Sequence, residues 1–283
     1  MTSLRSVAHQ LKIAVIELRK SEIREPGRDA ELLLMHVTGL SRTDLIAHPE
    51  HTLTEEQIRQ YERLVARRKR SEPIQYILGE REFYGLRFVV TPDVLIPRPE
   101  TELLVEAALE HIPDEKPASL ADVGTGSGAI AVALAHYRPM AKIAALDVSP
   151  SALELARRNA AAHAVGDRIR LLQSDLLEAV AGEQFDVIVS NPPYIADGDR
   201  DSLEAQVRDH EPAIALFAGP TGLEVYERLI IQAETRLKPG GWLMMEIGAG
   251  QHLQLRQLLN RWQDVTFRDD LQGIARVALA RRA

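Results

Sequence analysis

A chain of 283 residues, 45% apolar and 27% charged with a net charge of −7, has the composition of a soluble globular protein with room for one large domain and a small one. No apolar run approaches the roughly 18 residues of a membrane helix, and MTSLRSVAHQLK lacks the apolar region and cleavage site of a secretory signal. Zero cysteines exclude disulfides and thiolate metal sites, and fit a cytoplasmic protein.

The charge is unevenly spread. Residues 1–80 carry 13 Lys/Arg against 12 Asp/Glu, whereas residues 81–283 carry 21 against 29. An acidic larger domain is a poor partner for a polyphosphate backbone, so no direct nucleic-acid contact is expected.

In chain order, Leu4, Val7, Ala8, Leu11, Ala14, Val15 and Leu18 recur at helical spacing. A second apolar stretch from Ala30 to Val37 stops at Gly39, a C-terminal cap. Between them and the next helix, His48-Pro49-Glu50-His51 reads as a loop; two histidines without thiolates or helical register make no zinc site. Thr54-Glu55-Glu56-Gln57 is a capping box that opens a helix to about Arg70. That helix ends in Arg67-Arg68-Lys69-Arg70. The stretch reads first as a solvated last turn favoured by the helix dipole, and second as a docking patch for an acidic or RNA-associated partner. Residues 1–75 therefore read as a small helical domain.

Phe83, Tyr84, Leu86, Phe88, Val89 and Val90 around Gly85 predict a β-hairpin within a linker spanning 76–98. Residues 99–283 form the large domain, beginning with a helix that has Pro99 near its first position. Strands are expected at 120–123, 142–146, 169–172, 185–190, 241–247, 265–268 and 275–280, and helices near 128–137, 150–163, 221–237 and 250–261. This alternation predicts an α/β fold with a seven-stranded doubly wound sheet. The short connection DDLQG makes the last two strands an antiparallel pair at its edge.

ADVGTGSGAIAVAL places Gly124, Thr125, Gly126, Ser127 and Gly128 between the first strand of that sheet and its helix. Glycines there allow a tight turn and a close approach of a ligand to the backbone. Asp147 ends the next strand, about 20 residues on, where an acidic side chain meets a ribose. The loop alone indicates a nucleoside-containing cofactor and leaves NAD and S-adenosylmethionine both open. Three features favour S-adenosylmethionine: Asp122 ahead of the glycines, placed to meet an amino group; Ser174-Asp175-Leu176 after the third strand, placed to hold an adenine; and SNPPY after the fourth.

The prolines in SNPPY force the chain out of the sheet abruptly and stiffly, because neither can donate to a ladder and each fixes its φ. A nitrogen conjugated to a carbonyl or ring is a weak nucleophile. The Asn191 side-chain oxygen and the Pro192 carbonyl, held rigid by Pro192 and Pro193, are suitable acceptors for its two N–H groups, and Tyr194 can lie flat against the planar group. This is a clamp for one NH₂ group.

DVGTGSG, LDVS, QSDL and SNPPY together resemble the class I methyltransferases of planar amino or amide nitrogens. EPIQYILGEREFYGLRFVVTPDVLIPRPETE (72–102), DHEPAIALFAGPTGLEVY (209–226) and MEIGAGQ (245–251) narrow the resemblance to the release-factor glutamine N5-methyltransferases over nearly the whole chain. The resemblance implies a Rossmann-like methyltransferase domain joined by a β-hairpin to a helical domain that docks the protein substrate. It implies S-adenosyl-L-methionine as cofactor, held by residues 124–128, Asp147, Asp175, Leu176 and Asn191. Its implied target is the glutamine of the Gly-Gly-Gln loop of peptide chain release factors, held by Asn191, Pro192, Pro193 and Tyr194, in a cytoplasmic monomer that uses no metal. Some relatives carry an aromatic at the position of Leu176; an aliphatic side chain can still cover an adenine, without stacking. The alternatives are N5 methylation of a ribosomal-protein glutamine, adenine-N6 methylation of nucleic acid, and an NAD enzyme or catalytically idle nucleotide-binding module. The linker and the acidity of residues 81–283 oppose adenine methylation, and no residues for hydride chemistry accompany the loop.

Overall fold

The computed structural model describes residues 4–283. It comprises two compact units, one holding the chain up to Gly79 together with Glu204–His210, the other Glu80–Leu203 and Glu211–Ala283.

The first unit is helical: α1 (Val7–Lys20), α2 (Pro26–Thr38), α3 (Arg42–Ala47), α4 (Glu55–Arg68) and α5 (Ile74–Leu78). Local chemistry sets the ends of these helices. Pro26 opens α2, where its missing N–H costs nothing, and Gly39 closes it in the left-handed conformation. Reciprocal capping boxes open α3 (Ser41 with Asp44) and α4 (Thr54 with Gln57). The loop at His48–His51 is built into the domain, since the Pro49 and His51 carbonyls accept the Ala8 and Val7 N–H groups at the start of α1. Leu18, Leu33, Leu34 and Tyr61 fill the core, and the Tyr61 hydroxyl donates to the Ala30 carbonyl.

In the basic stretch at the end of α4, Lys69 and Arg70 are exposed, as a solvated last turn predicts, but Arg68 is not. Arg68 is buried, with its Nε 2.6 Å from Asp29 Oδ2. Its other nitrogens donate to the Glu72 carbonyl and, at 3.3 Å, to Gln206 of the returning segment. Arg67 pairs with Glu72 and Lys69 with Glu17. Three of the four cations are thus paired within their own unit, one of them in its interior.

The second unit opens with a hairpin, β1 (Glu80–Phe83) and β2 (Leu86–Val89). Its turn residues Tyr84 and Gly85 both have positive φ, the geometry that matches strand twist in two-residue turns. The non-glycine Tyr84 is held there by its N–H, which donates to the Glu102 carboxylate. The elements that follow are α6 (Glu102–His111), β3 (Ala118–Val123), α7 (Ala129–Tyr137), β4 (Ala141–Asp147), α8 (Pro150–Ala162), β5 (Ile169–Gln173), β6 (Phe185–Ser190) and β7 (Ile195–Ala196). The chain then contributes α9 (Ala205–Arg208) to the helical unit and returns with β8 (Phe217–Gly219), α10 (Glu224–Arg236), β9 (Leu237–Glu246), α11 (His252–Leu258), β10 (Gln263–Asp269) and β11 (Ala275–Arg281).

The main sheet has seven strands in the order β10-β11-β9-β6-β3-β4-β5. The five strands from β9 to β5 are parallel, and β11 runs antiparallel between β9 and the edge strand β10, as DDLQG predicts. Two apolar clusters cover its faces, one around Leu104, Val132 and Leu134, the other around Tyr226, Leu229 and Met245. Connections leave β3 toward β4 and β5 on one side and β6 and β9 on the other, so a crevice opens at the carboxyl ends of the strands beside β3. Sequence periodicity overlooked α3, α5, α9 and the pair β7–β8. Each is six residues or fewer, too short to show a period.

Breaking the buried Arg68–Asp29 pair leaves a charge in the interior, which costs about 3–5 kcal/mol. Asp29→Ala is expected to lower the unfolding free energy from urea titration by that amount, whereas Arg70→Glu, at an exposed position, is expected to stay within about 0.5 kcal/mol of wild type.

Candidate functional site

The end of β4 holds the glycine loop. The Leu146 carbonyl accepts the N–H groups of both Gly124 and Thr125, and Asp147 Oδ2 accepts that of Gly126 at 2.8 Å. Gly124, Gly126 and Gly128 all have positive φ, a conformation that side chains strain. Gly128 also lacks room, since a Cβ there would lie 3.1 Å from that of Ala156 on α8. Asn159 of α8 is buried and donates to the carbonyls of both Ser127 and Val89, fastening the loop to the hairpin. Sequence reasoning missed this residue, which sits within the polar-looking run RRNAAAH.

The loop borders a cavity of about 390 Å³ at the carboxyl ends of the strands, within the volume range of small-molecule sites. Residues 124–127, Asp147, Asp175, Leu176, Asn191 and Pro193 line it. Gly128 stands behind the wall as the first cap of α7, and Pro192 is buried. Asp147 uses Oδ1 on the Ser149 N–H and Oδ2 on that of Gly126, which leaves each oxygen a second lone pair. Burial pushes its pKa up, against these backbone hydrogen bonds. Asp175 faces Arg228 at 2.5 Å across the mouth, and Leu176 reaches the wall from a positive-φ backbone. Ile214, Ala215 and Phe217 add an apolar rim, with Arg200 over the Phe217 ring at 4.2 Å.

Asp122 differs from expectation. It is fully buried and faces its own loop: Oδ2 accepts from the Thr125 hydroxyl at 2.6 Å and the Ala131 N–H at 3.1 Å. It shapes the turn and does not line this cavity. Burial first, and the neighbouring Asp147 charge last, push its pKa up to about 7.

At the NPPY segment, the Ser190 hydroxyl donates to the Val123 carbonyl, tying the end of β6 to that of β3. Asn191 meets Thr101, and Thr101 meets Glu246 at the end of β9. Tyr194 is half-buried and lies outside the cavity wall. Its hydroxyl is turned toward Glu246 Oε1 at 3.3 Å, and its carbonyl accepts from Gln251. Room for it comes from glycines: a Cβ at Gly222 would lie 2.6 Å from the Tyr194 carbonyl oxygen, and one at Gly248 3.1 Å from its ring. Arg98 pairs with the buried Glu211, joining the segment before α6 to the segment before β8. Among the described residues no cluster of His, Asp and Glu is arranged to hold a metal ion, and no helix is long and apolar enough to cross a membrane.

With that geometry in place, comparison with known proteins identifies the family. The chain is 45% identical over 275 residues to the release factor glutamine methyltransferase of Escherichia coli strain K12, covering 96% of this chain and 98% of that protein. It is 44% identical over 270 residues to the protein of that name from Koribacter versatilis, covering 95% and 96%. The chain belongs to the release factor glutamine methyltransferase family. Its residues 10–79 match the PrmC N-terminal domain and residues 100–208 the methyltransferase small domain. Among solved structures, the hMettl16 catalytic domain in complex with an RNA hairpin aligns with a TM-score of 0.59 at 20% identity, covering 77% of this chain and 80% of that one. A methyltransferase from Pyrococcus furiosus aligns at 0.51 and 19%, covering 71% and 91%. These two likenesses show the methyltransferase fold.

A carboxylate whose folded pKa is raised takes up a proton on folding. The stability this contributes is complete below the unfolded value and is lost as pH rises through the folded one. For Asp122 the window therefore runs from about 4 to about 7. Asp122→Asn removes the titration, and its urea midpoint is expected to fall less than that of wild type between pH 5 and 8, both without ligand.

Proposed function

We propose that this protein transfers a methyl group from S-adenosylmethionine to the side-chain amide nitrogen of the glutamine in the Gly-Gly-Gln loop of peptide chain release factors. The observation that carries the reading is Asn191 at the wall of a glycine-bordered cavity, in a chain nearly half identical to release factor glutamine methyltransferases over almost their whole length.

The cavity suits the cofactor. Its walls offer a backbone turn open to close approach at Gly124 and Gly126, carboxylate lone pairs on Asp147 for ribose hydroxyls, and an aliphatic cover at Leu176 for a flat base. When bound, the cofactor supplies an electrophilic methyl group on a positively charged sulfur. The protein's own task is to aim a poor nucleophile. Asn191 Oδ1 and the Pro192 carbonyl each accept one N–H of the glutamine side chain, which fixes the nitrogen and favours its pyramidalisation as the new N–C bond forms. The prolines at 192 and 193 keep the two acceptors from relaxing. Pro193, together with Ile214 and Phe217 on the rim, sheds water from the approach. Tyr194 backs the clamp from outside the wall.

The helical unit is proposed to dock the body of the release factor, with the glutamine loop entering the cavity of the second unit. Such an enzyme is proposed to work as a monomer in the cytoplasm, where its substrates are.

Asn191→Ala leaves the amide nitrogen half held, and misplacement of this kind costs about 10²-fold in rate. Single-turnover assays on a full-length release factor are expected to show that loss, with S-adenosylhomocysteine affinity by calorimetry changed far less than turnover and the methyl group located on the glutamine by mass spectrometry. Methyl on any other residue would overturn the reading. Asp147→Ala is expected to act on the other side of the reaction, weakening S-adenosylhomocysteine by about 1.5–3 kcal/mol; unchanged affinity in the folded variant would remove Asp147 from the cofactor site.

A further inference from the structure

Asn191 can serve as an acceptor only if its amide is turned the right way, and nothing in its own conformation decides that. An asparagine side chain has nearly the same shape with oxygen and nitrogen exchanged, and its hydrogen-bond partners settle the choice. The partners here form a chain. Asn191 Nδ2 lies 3.1 Å from Thr101 Oγ1, and Thr101 Oγ1 lies 2.5 Å from Glu246 Oε2. The Tyr194 hydroxyl lies 3.3 Å from Glu246 Oε1. Thr101 and Glu246 are 3% and 2% exposed, so water cannot substitute for either partner.

The direction of this chain follows from proton count. An ionised carboxylate has no proton to give, so the Thr101 hydroxyl must donate to Glu246. With its single proton committed, Thr101 Oγ1 meets Asn191 as an acceptor only, and Asn191 must turn its NH₂ toward it. Asn191 Oδ1 accepts no hydrogen bond from the described residues and is left for the substrate. We propose that Thr101 and Glu246 are positioning residues whose hydrogen bonds fix the polarity of the Asn191 amide, so that an oxygen rather than an NH₂ meets the substrate nitrogen. The inference rests on the methyl-transfer reading of the site.

Protonation of Glu246 reverses the logic. A neutral acid donates to Thr101 Oγ1, the Thr101 proton is freed for Asn191 Oδ1, and the amide then presents donors to a donor. Burial pushes the Glu246 pKa up to about 7 against the hydrogen bonds from Thr101 and Tyr194. The nearby charges oppose each other: Glu100, from the turn before α6, raises it, and Arg276 of β11, itself paired with Asp270, lowers it. From α10, the Tyr226 hydroxyl holds the Glu246 backbone carbonyl. Turnover therefore rises as pH increases and Glu246 ionises.

The experiment measures single-turnover methylation of a full-length release factor at saturating S-adenosylmethionine, between about pH 6 and 9. It compares the wild type with Thr101→Val, Thr101→Ser and Glu246→Gln, and S-adenosylhomocysteine calorimetry confirms that each variant is folded. Thr101→Val, of similar shape without the hydroxyl, is expected to lose at least about tenfold in rate. Thr101→Ser restores the hydroxyl and recovers most of that loss. Glu246→Gln cannot ionise and is expected to lose the acid limb of the wild-type profile whatever its absolute rate. Wild-type rates in Thr101→Val, or an acid limb in Glu246→Gln that matches the wild type, would overturn the relay while leaving glutamine methylation intact. A wild type that puts no methyl on the glutamine would overturn the site reading and the relay together.

Discussion

Three consecutive amides held by the end of one strand are the constraint on which the site depends. Leu146 offers its carbonyl to Gly124 and Thr125, and Asp147 offers a side-chain oxygen to Gly126. The turn that presents these amides needs positive φ on either side of Thr125, hence the glycines at 124 and 126. Once the loop is fixed, α7 must start at Ala129 and the cavity floor is set. Ser190, bonded to the Val123 carbonyl, then brings Asn191 to the same edge. The parallel sheet does the rest, since it collects the carboxyl ends of its strands in one place.

Much of this was legible in the sequence because glycine, proline and strand-length apolar runs report backbone geometry directly. The strand order reversal, the antiparallel edge and the glycine turn followed from local signals of that kind. What was not legible depends on partners far apart in the chain. Asp122 has the sequence position of a ligand-facing acid, yet the fold turns it onto Thr125 and Ala131. Arg68 sits in a run that looks solvated, yet it pairs with Asp29 across the helical core. Thr101 and Glu246 are 145 positions apart and neither sits in a motif that marks a network. Residue type and spacing cannot show that two side chains meet, and burial alone cannot be read from charge.

Among the buried carboxyl groups of the second unit, Glu211 is paired with Arg98, whereas Asp122 and Glu246 are each held by a threonine hydroxyl. A buried acid is costly unless its lone pairs are used, and at Asp122 only Oδ2 is, Oδ1 being buried without a partner among the described residues. Asp122 and Glu246 both lie where a loop must hold one shape, the glycine turn in one case and the NPPY segment in the other. Polar contacts with fixed directions restrain such loops more sharply than apolar packing, which accepts many orientations.

The helical unit is not finished when its last contiguous residue, Gly79, has been made. Gln206, which receives a hydrogen bond from Arg68, lies 138 residues after that arginine, and His210, bonded to the Arg70 carbonyl, comes later still. At synthesis speeds of about 5–20 residues per second, the interval is roughly 7–28 seconds. During that time the emerging helices fold around a gap, while most of the sheet's parallel strands are still being translated. The last segment of the first unit, Glu204–His210, is made only after four of the five parallel strands of the second. The helical one closes only when the chain has passed through the other and come back.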